Sequence, residues 1–182
     1  MKLPIAILSA VVLASGAQAA DNDAMAKAAN GFYTAYSTFH PSDGIPDVAG
    51  RARYAPYISE RLNALLTQAN AAESKFASAN KNTPPLVEGD LFTSNFEGAT
   101  AFKVGACTGD AKAGHCAVQL TYNPGNTGNP KDKPFNWTDT AYLVNSAQGW
   151  RLDDIGFGGN WDFGNKGRMS QTLDMVIKTA GN

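Results

Sequence analysis

Apolar residues in the first third of the chain recur at helical intervals. Met25, Ala28, Ala29, Phe32, Tyr36 and Phe39 step by three and four, which places them on one stripe of a helix. His40-Pro41 ends that helix, because a proline ring disfavours helical backbone at the residue before it. Residues 42–56, with Gly44, Pro46 and Gly50, read as a loop with one short turn. A second helix follows. Ser59 is placed to cap it, Ile58, Leu62, Leu65, Leu66, Ala69 and Phe76 share one face, and the stretch Asn80 to Pro85 closes it.

The period then changes from 3.6 to 2. Phe92, Phe96, Phe102 and Val104 alternate with Thr93, Asn95, Glu97 and Lys103, which predicts a half-buried strand, or two, between Phe92 and Ala106. Cys116, Val118, Leu120 and Tyr122 repeat the alternation after the turn-rich stretch Gly109 to Gly114, completing a hairpin. Asn123 to Pro134 is a loop. Trp137 to Ser146 and Trp150 to Phe157 form the next hairpin around Gln148-Gly149, and a short helix runs from Ser170 through Leu173, Val176 and Ile177. Helices, then an antiparallel meander, then a helix predict an α+β domain with helices packed on one face of the sheet.

The extreme N-terminus has a different character. Lys2 precedes an apolar run, Ile5 to Val12, that is too short to span a bilayer, and small residues lead to Ala17-Gln18-Ala19, the pattern signal peptidase reads. Residues 1–20 are therefore expected to be a signal peptide, cleaved after Ala19 or Ala20. Residues 21–182 form a single domain of the periplasm or the secreted fraction. Cys107 and Cys116 are the two cysteines, and neither follows the cleavage site, so no lipid anchor and no membrane attachment are expected after processing. In an oxidising compartment an even cysteine count predicts a disulfide. A metal site is the poorer reading, since only His115 lies nearby.

Parity along the hairpin adds a condition to that pairing. If Val104 and Val118 share the core face, Cys107 cannot stand directly opposite Cys116 unless the strand carries a bulge, for which Gly105 is the obvious place.

Composition narrows the function classes. With 43% hydrophobic and 17% charged residues the chain is that of a globular protein. Its formal charge of -1 comes from scattered cations and anions, which leaves no electrostatic footprint for nucleic acid. Nothing points to a cofactor or to a metal.

Several segments carry a resemblance: Glu88-Gly89-Asp90-Leu91-Phe92-Thr93-Ser94, Phe96-Glu97-Gly98-Ala99-Thr100, Trp150-Arg151-Leu152-Asp153-Asp154-Ile155, Gly158-Gly159-Asn160-Trp161-Asp162-Phe163 and the early Phe32-Tyr33-x-x-Tyr36. Together they resemble the family catalogued as domain of unknown function 3828, which is similar to the nuclear-transport-factor-like superfamily. The resemblance implies a curved antiparallel sheet wrapped around N-terminal helices as a cone, in an exported envelope protein. It implies no established activity. Some relatives are lipoproteins, a feature this chain does not share.

The candidate site residues follow from that architecture. Trp150 and Leu152 point one way in the last strand and Ile155 and Phe157 the other, so one of Asp153 and Asp154 is a candidate for the concave side. Enzymes of the superfamily place an acid or base carboxylate there, which makes these two the weak catalytic candidates. The competing reading is a structural Asp paired with Arg151 or a backbone N–H. Residues 156–167 hold five glycines around Trp161 and Phe163 without a dinucleotide-binding pattern. They read either as a turn capping the core or as a lip for a partner. Tyr33, Tyr36, Trp137, Tyr142 and Trp150 are core or pocket-lining residues, while His40 and His115 flank turns.

The function these features favour is a non-catalytic envelope protein binding a partner protein or a small apolar ligand in the cone. The alternatives are an immunity protein neutralising a secreted toxin and a lyase or isomerase working through Asp154. The oligomeric state is left open.

Overall fold

The computed structural model describes residues 11–39, 44–125 and 132–181. Helix α1 (Val11–Phe39) ends where the proline predicts and buries Met25, Ala29, Phe32, Tyr33 and Tyr36; Phe39, at its end, is exposed. His40 lies outside the described residues. The segment read as a loop holds a helix, α2 (Val48–Tyr54). Asp47 caps it by accepting a hydrogen bond from the Gly50 N–H at 2.7 Å, and Tyr54 pins it to the core. Helix α3 (Glu60–Ala79) has the predicted cap, the Ser59 hydroxyl accepting from the Leu62 N–H at 2.9 Å.

Four strands, β1 (Ala101–Gly109), β2 (Ala113–Tyr122), β3 (Phe135–Ser146) and β4 (Gly149–Gly156), form a curved, unclosed antiparallel meander, and α4 (Met169–Gly181) completes this α+β domain. Cys116, Val118, Leu120, Ala141, Leu143, Leu152 and Ile155 are all buried. Helix α1 packs against all four strands, and α3 and α4 pack on each other and on β4. Between α1 and the sheet the space is filled by side chains. Phe32, Tyr33, Tyr36, Tyr54 and Phe92 form an aromatic cluster with ring centroids 4.9–6.4 Å apart, within the range of favourable aromatic contact.

The expected bulge is present. Val104 pairs with Val118, the register shifts before Cys107, and Cys107 then stands opposite Cys116, to which it is joined by a disulfide.

Two expectations need correction. The strand predicted from Phe92 begins only at Ala101. Leu91 to Asn95 are all buried and make no ladder, so the alternation there reflects a doubly covered loop, while Phe96 is exposed. In β4 a second bulge lets Leu143 face Leu152 and Ala141 face Ile155, putting Leu152 and Ile155 on the same side. Asp154 instead pairs with Tyr142 on the opposite face, so it does not enter the concave side.

The outer edge of β4 is covered by the chain leading into α3. Leu152 donates its N–H to the Tyr57 carbonyl at 2.9 Å and accepts from the Ser59 N–H at 2.7 Å, so Tyr57 to Ser59 act as a short parallel strap along an edge that would otherwise be open.

Candidate functional site

At one end of the domain two loops converge on a buried carboxylate. In β3 the odd positions Trp137, Asp139, Ala141 and Leu143 all face inward, and Asp139 is wholly buried. Its Oδ2 accepts from the Ser94 N–H at 2.8 Å and the Trp137 indole N–H at 3.1 Å. Its Oδ1 accepts from the Gly158 N–H at 2.8 Å and from the Ser94 hydroxyl. Four donors thus surround one carboxylate, and among the described residues no cationic side chain makes an ion pair with it. That coordination satisfies a charge that burial would otherwise penalise heavily.

The knot fixes residues 156–167 in place. The Gly159 N–H donates to the Ser94 hydroxyl at 2.9 Å, and the Asn165 side-chain amide donates to the carbonyls of Asp90 and Thr93 at 2.8 and 2.7 Å. Lys166 Nζ closes the loop on itself by donating to the Gly159 carbonyl at 2.9 Å. Gly158 lies so close to β3 that a Cβ there would collide with the Thr138 carbonyl, which is why this position has no side chain.

On this anchored loop Trp161 is half-buried against Trp137 and Phe135, each ring 5.5 Å away, and Tyr122 continues the aromatic row beyond Phe135. Phe163, two residues on, is 92% exposed.

The remaining sequence candidates do not gather in one place. Tyr36 is core: its hydroxyl donates to Asp90 Oδ2 and accepts from the Ala99 N–H, both at 2.9 Å. Burial, and then the Asp90 charge, push its ionisation far above the ordinary tyrosine range. Tyr142 stands on the outer face of the sheet under the Arg168 guanidinium, 3.7 Å from its ring centroid, with exposed His115 beside it. Trp150 is buried in the wall of an apolar groove of about 510 Å³ between α1, Pro56-Tyr57 and the start of β4.

Asp153 and Asp154 both have structural partners. Asp153 accepts from Arg61 Nε and Nη2 and, at 2.5 Å, from the Ser59 hydroxyl, and this pairing raises the Arg61 pKa further. Asp154 accepts from the Ser170 N–H at 3.0 Å and the Ser170 hydroxyl at 2.6 Å, holding the first turn of α4, with Arg168 3.6 Å away. The pairing with Arg151 is not what holds either of them. Their geometry suits helix anchoring better than proton transfer.

Among the described residues no group of three or more His, Cys, Asp or Glu side chains stands together as a metal site, and no helix is long and apolar enough to cross a membrane. Sequence reasoning missed Asp139, Ser94 and Asn165. Parity held a signal for the first, since Asp139 falls on the inward register of β3. No protein-family model, curated protein or solved structure matches the chain.

Proposed function

We propose that this is a non-catalytic exported binding protein whose working surface is the 156–167 lip, presented to a partner protein in the cell envelope. The observation that carries the reading is Phe163: a nearly fully exposed aromatic side chain on a loop whose backbone is tied to the core at Gly158, Gly159 and Asn165. Single exposed apolar residues are ordinary on protein surfaces. Here it stands on an anchored loop two residues beyond Trp161, whose ring closes an aromatic row with Phe135 and Tyr122 of the sheet. A surface ordered in advance loses less entropy on binding, and aromatic anchors carry much of the energy of protein interfaces.

The filled interior argues against a small ligand inside the cone, and the pinned carboxylates argue against a lyase or isomerase. Export fits the Cys107–Cys116 disulfide and the leader-like N-terminus. The nuclear-transport-factor-like architecture belongs to the same reading, supported by the long α1 lying against all four strands of a curved sheet. A secreted toxin is one partner of the required kind.

The test is photo-crosslinking in intact producing cells from benzoylphenylalanine placed at position 163, with the exposed Met175 position as control. The expected result is one discrete adduct from position 163 and none from position 175. Identical adducts from both positions, or none from 163, would overturn the proposal.

A further inference from the structure

The groove beside α1 lies away from the lip and has a different chemistry. Its walls are almost entirely apolar, with Ala24 and Ala28 on α1 facing Tyr57 and Trp150. Its volume of about 510 Å³ falls within the range of sites that hold small molecules. Gly31 contributes by its lack of a side chain: a Cβ there would sit 3.0 Å from the Tyr57 ring, so the ring and the helix approach as closely as they can.

Two cations border this apolar surface. Lys27 is exposed on α1, and Arg151 is half-buried at the start of β4. Among the described residues neither makes an ion pair with a carboxylate. Arg151 gives one N–H to the Trp150 carbonyl at 2.9 Å and keeps its Nε buried without an acceptor. A half-buried guanidinium whose Nε has no acceptor is unusual in a folded protein, and a carboxylate is the strongest partner for such a group.

We propose that the groove binds a small amphipathic carboxylate, a free acid of the fatty-acid kind. Its apolar body lies along Ala24, Ala28, Tyr57 and Trp150, and its carboxylate is held between Lys27 and Arg151. Charge complementarity selects the acid over a neutral or cationic amphiphile of equal length. Apolar contact alone does not discriminate among them.

The experiment is isothermal titration calorimetry of the folded protein with monomeric dodecanoate, dodecanol and dodecyltrimethylammonium, using Lys27→Glu, Arg151→Gln and Ala24→Phe variants checked by thermal melts. The expected result is one dodecanoate site per chain, with the cationic amphiphile at least about tenfold weaker, as the loss of a charge-assisted contact implies. Arg151→Gln and Lys27→Glu should each weaken dodecanoate by about tenfold on the same grounds, and Ala24→Phe should fill the groove and abolish binding. Lys27 is exposed and makes no ion pair among the described residues, so its variant keeps the test decisive even if the others fold poorly. Equal affinity for all three head groups, no effect of Lys27→Glu, or no binding of monomeric dodecanoate would overturn the proposal.

Discussion

Ser94 and Asp139 are joined twice, the serine N–H meeting Oδ2 at 2.8 Å and its hydroxyl meeting Oδ1, although 45 residues separate them in the chain. The pair fastens the buried stretch 91–95 to β3, and through Gly158 and Gly159 it also fastens the lip. Replacing Asp139 by Asn puts an NH₂ group where donors already point and leaves at least one of them unmet. The expected loss is about 2–4 kcal/mol, the scale of an unsatisfied buried donor next to a former charge. Urea unfolding of Asp139→Asn checks it; an unchanged midpoint would show that the knot is dispensable.

Reducing the Cys107–Cys116 bridge should cost about 2–3 kcal/mol, because the loop it closes is short. Melting with and without dithiothreitol, beside a Cys107→Ser variant, measures the difference. Both thiols should resist alkylation until reductant is added.

Alkaline pH should unfold the domain through its aromatic core. Burial first, and then nearby Asp90, push Tyr54 up to about 12 from the ordinary value of 10.0, while Tyr33 and Tyr36 are raised further. These tyrosines keep their protons in the folded state where the unfolded chain has lost them. Stability is therefore fully present below pH 10 and falls as pH rises from about 10 through 12. Tyrosinate absorbance should appear together with loss of far-ultraviolet dichroism. If the buried tyrosines ionise while the fold stays intact, the interior is open to solvent.

Asp154→Ala should destabilise by about 1–3 kcal/mol through the lost hold on α4. Arg61→Ala should cost no more than about 1 kcal/mol, because its side chain is half exposed where it meets Asp153. Thermal melts of the two variants test the order; the reverse order would make the Arg61–Asp153 pair the principal anchor of this edge.

Phe163→Ala should leave stability within about 0.5 kcal/mol of the parent, since its ring is almost wholly in solvent. Trp161→Ala should cost about 1–2 kcal/mol by removing two edge-on aromatic contacts. Parallel melts separate the two, and partner capture should weaken in both.

The legible parts of this fold were those governed by one local rule. Ser59 announced its cap, the alternation of Cys116, Val118, Leu120 and Tyr122 marked β2 as a half-buried strand, and the parity of Val104, Val118 and the cysteines required a bulge. Illegible parts depended on partners far away in sequence. Residues 92–96 alternate like a strand, yet Thr93, Ser94 and Asn95 are buried in a loop whose Ser94 N–H and hydroxyl are met by Asp139 and whose Thr93 carbonyl is met by Asn165. The extra residue in β4 turned Leu152 and Ile155 to one side, a shift that no reading of Trp150 to Phe157 alone contains. Asp139, inward by register, was passed over, and acids rarely enter a core without a cation.

The strap along β4 also sets the order in which the chain can finish folding. Tyr57 to Ser59 are made early at the ribosome, but Leu152 and Asp153, which receive them, come more than ninety residues later. All four strands against which α1 packs likewise emerge after it. A nascent chain therefore has no way to lock its N-terminal half until synthesis is nearly complete. During that interval α1 and α3 lack the sheet against which they pack in the finished domain.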